Sequence, residues 1–161
     1  MELHINGRAC SVELAANTLL VELLRDHQGL TGTQVGCDTA QCGACTVLMD
    51  GRAVKSCNVL ALQAQGQHID TVEGLAPADQ WHPLQLAFSR HHALQCGFCT
   101  PGMLMRAVAM AREGVPPEPA AVRHALEGNL CRCTGYLGIV EAICEWLRAQ
   151  PTVPHALDTV P

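Results

Sequence analysis

The amino-acid sequence predicts an α+β protein whose two halves differ in structure. In the first half apolar residues alternate with polar ones, and Asn-Gly and Asp-Gly pairs mark hairpin turns. From Pro83 onward the apolar residues recur at the three- and four-residue spacing of helices. Eight of the ten cysteines fall into two groups along the chain, one in each half. We therefore expect a small mixed sheet crossed by a helix, then a helical unit, each with its own cysteine group.

The first half is predicted to contain five strands and one helix. The Asn6-Gly7 and Asp50-Gly51 pairs each separate two alternating segments, as in β-hairpins. A helix is expected over residues 18–27, because four leucines share one face and Gly29 supplies a C-terminal stop. The predicted strands are residues 3–5, 8–14, 46–49, 52–55 and 68–72.

The second half is predicted to contain four helices. Thr100 is expected to cap the second of them, with Pro101 at its first position, where the missing N–H costs nothing. The residues after the fourth helix are rich in proline and are expected to form a tail. The predicted helices are residues 83–92, 101–114, 119–126 and 137–148, and the predicted tail is residues 151–161.

Composition excludes several classes of function. The net charge is −5, Lys55 is the only lysine and aromatic residues make up 3%, which argues against a nucleic-acid partner. No segment approaches the roughly 20 apolar residues of a membrane span, and the N-terminus has no secretory signal pattern. We therefore expect a cytoplasmic protein. There thiols stay reduced, and ten cysteines more often bind metal than form disulfides.

The first cysteine group consists of Cys37, Cys42, Cys45 and Cys57. Its spacing matches the start of the plant-type [2Fe–2S] ligand pattern. Three thiolates must converge from one loop, and Gly36 and Gly43 are expected to give that loop its conformational freedom. Backbone N–H groups near residues 40–44 are expected to donate hydrogen bonds to the sulfurs. A structural zinc site is the alternative, although zinc ligands more often come in two close pairs.

The second cysteine group consists of Cys96, Cys99, Cys131 and Cys133. It combines a Cys-x2-Cys pair with a Cys-x-Cys pair, and both pairs lie at predicted helix boundaries. A helix N-terminus carries a partial positive charge that suits an anionic cluster. A Cys-x-Cys pair is tight for a zinc knuckle, so a second iron–sulfur centre is the favoured interpretation.

Three longer segments around these cysteines resemble one protein family. They read CDTAQCGACT over residues 37–46, QCGFCTPGM over 95–103 and GNLCRCTGY over 128–136. Together they are similar to the small iron–sulfur subunit of the molybdenum hydroxylases, the xanthine oxidase, aldehyde oxidoreductase and carbon monoxide dehydrogenase group. The resemblance runs over about residues 3–147.

The resemblance implies a fold and a set of ligands. The expected fold is a β-grasp, plant-type ferredoxin domain over residues 1–76, followed by an all-α four-helix-bundle [2Fe–2S] domain over 77–150. The first cysteine group would hold the cluster that faces a flavin, and the second group the cluster near the molybdenum cofactor. Gln95 and Cys133 would contact the molybdopterin. No catalytic residue is expected on this chain.

The resemblance also implies partners and a role. Molybdopterin, in some relatives a cytosine dinucleotide, would lie on a large subunit and FAD on a medium subunit, in a heterotrimer or its dimer. The chain would relay single electrons from molybdenum towards FAD or an external acceptor. Two other functions remain open at this stage, a free-standing ferredoxin-like carrier without a molybdenum partner and a zinc-stabilised interaction module.

Overall fold

The computed structural model describes residues 1–151 of the chain. Most of the predicted tail, residues 151–161, therefore lies outside the described residues. Among residues 1–151, no helix combines the length and apolar composition needed to cross a lipid bilayer. All ten cysteines are free thiols.

Five short strands form one mixed sheet in the first half. Its spatial order is β2-β1-β5-β3-β4, in which β1 and β5 are parallel and the other neighbours are antiparallel. The two hairpins predicted from Asn6-Gly7 and Asp50-Gly51 are both present, and all four of these residues have positive φ. The strands are β1 (Glu2–Ile5), β2 (Arg8–Ser11), β3 (Thr46–Met49), β4 (Arg52–Lys55) and β5 (His68–Asp70).

The helix of the first half is shorter and less regular than the prediction. It begins at Leu20 as α1 (Leu20–Glu22) and continues as a π-helical segment over Leu23–His27. Leu20, Leu23 and Leu24 are fully buried against the sheet, as their shared face predicts. Gly29 ends the segment with a φ of 70°. Residues 18 and 19 lie outside the helix, because Leu19 is extended and forms a β-bridge with Leu60.

Four helices make up most of the second half and share one apolar core. They are α2 (Pro83–Arg90), α3 (Thr100–Arg112), α4 (Pro119–Ala125) and α5 (Leu137–Arg148). Leu84 and Phe88 of α2, Met103 of α3 and Ile143 of α5 are among its buried side chains. At the end of α2, His91 and Arg90 bind Glu145 of α5, which lowers the pKa of that carboxyl group.

The two halves pack directly against each other. Met105 and Ala109 of α3 are buried against Leu48 of β3. Gly102, on the first turn of α3, lies so close to the sheet that a Cβ there would come 2.3 Å from the carbonyl oxygen of Gly43. The helical half is therefore fixed on the same loop region that carries the first cysteine group.

Several other sequence-based boundaries were also wrong. Helices α2 and α3 each end two residues before the prediction, at Arg90 and Arg112, and α4 ends one residue before it, at Ala125. Strand β2 ends at Ser11 and β5 ends at Asp70, because the chain turns there into a loop and into a 3₁₀ segment over Val72–Gly74. Thr100 does not cap α3, because it is the first helical residue and the N-cap is Cys99, without a side-chain bond. The Thr100 hydroxyl is instead buried without a hydrogen-bond partner in the described residues.

Candidate metal centres

The loop that carries the first cysteine group has an unusual backbone. Asp38 (φ 61°), Ala40 (φ 59°) and Gly43 (φ 74°) are all in the left-handed region, which costs non-glycine residues energy. Gly36 serves another purpose than the one predicted from the sequence. Its φ is not positive, but a Cβ there would come 3.0 Å from the Cys42 Sγ. The loop thus winds tightly around its own sulfur atoms.

Backbone N–H groups of this loop point at a sulfur atom. The N–H groups of Thr39 and Cys42 donate to Cys37 Sγ over 3.4 Å and 3.2 Å. Hydrogen bonds from Thr39 and from the Cys42 backbone lower the pKa of the Cys37 thiol to about 6. The expected N–H donation to sulfur near residues 40–44 is present at Cys42, and such bonds stabilise a thiolate.

The other members of the first group come together from two elements. Cys57 follows β4 in the 3₁₀ segment Ser56–Asn58, and its thiol lies within hydrogen-bonding reach of Cys45. The buried Ser56 hydroxyl donates to the Cys45 carbonyl oxygen over 2.8 Å and fixes the two segments to each other. Burial and the neighbouring Cys57 raise the pKa of the Cys45 thiol to about 11. A metal centre must therefore displace a proton from this thiol.

The second cysteine group converges from the α2–α3 and α4–α5 connections. The Sγ atoms of Cys96 and Cys133 are 3.5 Å apart, and both residues are exposed. Cys99 and Cys131 lie deeper and contact each other, and burial raises the pKa of the Cys99 thiol to about 12. This group therefore has one half-buried pair, Cys99 and Cys131, and one pair that faces the surface, Cys96 and Cys133.

Thr134 and Tyr136 organise the loop around Cys131. Burial alone would raise the pKa of Cys131, but hydrogen bonds from the Thr134 hydroxyl (3.1 Å) and backbone N–H lower it. The Tyr136 hydroxyl accepts the Cys131 N–H over 2.8 Å. Tyr136 is in the left-handed region at φ 70°, which aims its ring back over the loop.

A polar contact joins the two cysteine groups, and the sequence did not predict it. The buried Asn129 amide Nδ2 lies 3.1 Å from Gly43 O, 3.2 Å from Thr46 Oγ1 and 3.3 Å from Gly102 O. Lys55 Nζ reaches the Asn129 Oδ1 (3.2 Å) and the Gly128 carbonyl oxygen (2.7 Å). We call Asn129, Lys55, Thr46 and Gly43 the polar hub. No local sequence pattern marks it, because its members are up to 86 positions apart.

The residues of both groups fit [2Fe–2S] clusters. A [2Fe–2S] cluster spreads its four thiolates over two irons. Around the first group, N–H donors face Cys37 and Gly36 leaves Cys42 Sγ uncovered. Beside the second group, the buried Thr100 hydroxyl without a partner adjoins Cys99, and a cluster sulfur is an acceptor for such a donor.

Gly43→Ala is expected to destabilise the protein by roughly 2–5 kcal/mol. The left-handed conformation at φ 74° costs Ala about 1–2 kcal/mol. The new Cβ would also come 2.4 Å from Gly128 O and 2.6 Å from Asn129 Nδ2, and overpacking of this kind costs about 1–3 kcal/mol. The change is measured as a shift of the urea unfolding curve. Gly7→Ala is the matched control, because it has φ 76° and open space around its Cβ. Equal losses in the two variants would contradict the crowding at Gly43.

Gln95 and Cys133, the two residues expected to contact molybdopterin, are both exposed in this structure. Four exposed apolar side chains lie within four positions of a second-group cysteine, namely Leu94, Phe98, Leu130 and Leu137. Phe98 also lies 3.4 Å from the position that a Cβ at Gly36 would occupy, so its ring lies beside the loop of the first cysteine group. We call Leu94, Phe98, Leu130 and Leu137 the apolar rim.

Two family models match the chain. The model of a 2Fe–2S iron–sulfur cluster binding domain matches residues 3–76. The model of a [2Fe–2S] binding domain matches residues 71–144. Each match contains one complete cysteine group, so the chain carries two [2Fe–2S]-binding domains.

Individual relatives are similar over most of the chain. The nicotine 6-hydroxylase small subunit of Paenarthrobacter nicotinovorans is 50% identical over 145 residues, which is 90% of this chain and 87% of the relative. The xanthine dehydrogenase iron–sulfur-binding subunit of Escherichia coli O157:H7 is 44% identical over 147 residues, 90% of this chain and 92% of the relative. A chain of quinoline 2-oxidoreductase from Pseudomonas putida 86 superimposes with a TM-score of 0.87 at 45% identity, covering 92% of this chain and 94% of its own length. The chain therefore belongs to the small iron–sulfur, electron-transferring subunits of the xanthine oxidase family of molybdenum hydroxylases and dehydrogenases.

Proposed function

We propose that this subunit relays single electrons from molybdopterin on a large subunit, through its second and then its first cysteine group, towards FAD on a medium subunit or an external acceptor. The observation that carries the proposal is the pair of convergent cysteine groups joined by one polar hub. A [2Fe–2S] cluster supplies a centre that accepts and releases one electron at a time. The chain's own residues hold that centre, shield it and fix its distance from the next.

The ligand assignment follows the two groups as the sequence predicts them. Cys37, Cys42, Cys45 and Cys57 would hold one cluster, and Cys96, Cys99, Cys131 and Cys133 the other. Burial of Cys45 and Cys57 supports this assignment, since burial protects a cluster from water. The exposure of Cys96 and Cys133 supports entry of electrons into the second group from a partner.

The domain division is proposed at residue 76. Residues 1–76 would form a β-grasp ferredoxin domain and residues 77–150 a four-helix-bundle domain. The mixed sheet with its crossing helix supports the first assignment, and the apolar core shared by α2 to α5 supports the second.

The apolar rim is proposed to dock on the large, molybdopterin-binding subunit. Exposed leucine and phenylalanine side chains near two exposed cysteines in the sequence are the kind of residue from which an interface core is built. Docking at this face would bring Gln95 and Cys133 to the pterin and exclude water from the point where electrons enter this chain. We propose that the assembled complex is a heterotrimer or its dimer. We place it in the cytoplasm, because ten free thiols suit a reducing compartment.

Purification of the full chain after anaerobic reconstitution is expected to yield about four iron atoms and four acid-labile sulfides per chain. Eight cysteine ligands support two clusters of two irons each, and the visible absorption of oxidised iron–sulfur centres should accompany the iron. Metal and sulfide analysis measures both quantities. Zinc without sulfide or colour would favour the interaction module. A native purification that yields the chain with iron but with no molybdenum-containing partner would favour the free-standing carrier.

A further inference from the structure

A single hydrogen bond links the two cysteine groups along the backbone. The Leu130 N–H donates to the Cys42 carbonyl oxygen over 2.8 Å. Cys42 belongs to the first group, and Leu130 is bonded directly to Cys131 of the second group. One hydrogen bond and one residue therefore join a cysteine of each group.

Asn129 stands immediately before this link and ties it to three segments. Only 2% of its surface is exposed. Its amide contacts Gly43, which follows Cys42, as well as Thr46 of β3 and Gly102 of α3. The two amide protons thus have three acceptors, which come from the first loop, the sheet and the helical half.

Lys55 binds the same segment, residues 128–130, through its side-chain amine. Its Nζ binds Gly128 O, Asn129 Oδ1 and Thr46 Oγ1. The chain segment 128–130 is therefore held at Gly128 by the amine, at Asn129 by its amide and at Leu130 by its own N–H. The segment 128–130 cannot move closer to the first loop, because even a Cβ on Gly43 would overlap Gly128 O and Asn129 Nδ2.

We propose that Asn129 is a positioning residue for electron transfer between the two cysteine groups, because its amide holds the Leu130 to Cys42 hydrogen bond in place. The inference rests on the proposed function. It goes beyond that function by naming the residue that sets the electronic coupling between the two cysteine groups. In this step the centre at the second group would lose one electron and so be oxidised. The centre at the first group would gain the same electron and so be reduced. No bond and no proton changes place in this step.

The test compares two variants of the reconstituted full chain with a matched control. Asn129→Leu keeps the branching and the number of heavy atoms of the side chain and removes every hydrogen bond of its amide group. Thr46→Val is milder, because it removes one hydroxyl that bonds Asn129 and Lys55 and leaves all charges unchanged. Thr71→Val is the control, because Thr71 is equally buried but bonds Asn6 and Glu73.

The readouts are iron content, the magnetic splitting between the two reduced centres at low temperature, and the rate at which one electron redistributes between them. The last is followed by freeze-quenched paramagnetic resonance after substoichiometric reduction. We expect Asn129→Leu to change the splitting and to slow redistribution several-fold, because loss of the amide loosens the Leu130 to Cys42 hydrogen bond that joins the two groups. Thr46→Val should give a smaller change of the same kind, and Thr71→Val none.

Each outcome decides the inference. Unchanged splitting and unchanged redistribution in Asn129→Leu, with both centres present, would overturn it. If Asn129→Leu loses iron or fails to fold, the test uses Thr46→Val instead. A wild-type splitting and a wild-type redistribution rate in Thr46→Val would then also overturn the inference. A wild-type chain that binds no iron would instead refute the proposed function, so the two failures are distinguishable.

Discussion

Cys99→Ala is expected to abolish substrate turnover by the assembled complex while the paramagnetic signal of the first-group centre persists. Cys99 is in contact with Cys131 inside the second group, and its loss leaves three thiols for that centre. Iron should fall from about four to about two atoms per chain. Turnover, iron content and low-temperature paramagnetic resonance measure the three effects.

Cys144→Ala is the matched control for this variant. Cys144 is buried in the core of the helical half and belongs to neither cysteine group, although its side chain is chemically identical. It should keep both centres and near-normal turnover, with a loss of stability only. Turnover that survives in Cys99→Ala without the second centre would show that electrons reach the acceptor by another path.

Combined Leu130→Asp and Leu137→Asp substitutions are expected to weaken binding to the large subunit at least about a hundredfold. Both side chains are more than half exposed in the free chain, at 58% and 61%. Burial of a leucine contributes about 1.5–3 kcal/mol, and a carboxylate in a dry interface costs more. The loss of affinity is measured as the ratio of the dissociation constants for the large subunit. The doubly substituted chain and the wild-type chain are compared, both loaded with iron.

Leu62→Asp is the control for this pair. Leu62 is exposed to 43% but lies in the first half, outside the apolar rim. Its substitution should leave the affinity for the large subunit unchanged. The docking face would lie elsewhere on the chain if the doubly substituted protein and the Leu62→Asp control lost the same affinity for the large subunit. The same conclusion would follow if neither lost any.

The cysteine groups and the secondary structure were predictable because their signals are local. Helix α5, with its apolar face, and the hairpin at Asp50-Gly51 require only neighbours in sequence. The ligand spacing of the first group is equally local, since three of its four thiols lie within nine residues. The comparisons confirm the family and its two [2Fe–2S]-binding domains, while the individual ligands remain proposals.

The features that sequence reasoning missed depend on contacts between distant segments. Asn129 and Lys55 meet across 74 positions, so neither residue type nor spacing predicts their pairing. The left-handed backbone at Asp38 and Ala40 follows from the winding of the loop around sulfur, which propensities do not encode. Thr100 looked like a helix cap, but tertiary packing moved the start of α3 by one residue and left its hydroxyl buried.

The link between Leu130 and Cys42 also constrains the order of events during biosynthesis. Until the ribosome has translated residue 130, the Cys42 carbonyl group lacks the Leu130 N–H that it accepts in the folded chain. The N-terminal half alone also lacks the contact of the Asn129 amide with Gly43 O. We therefore expect the first cysteine loop to gain its full set of contacts only after the C-terminal part of the chain has been made.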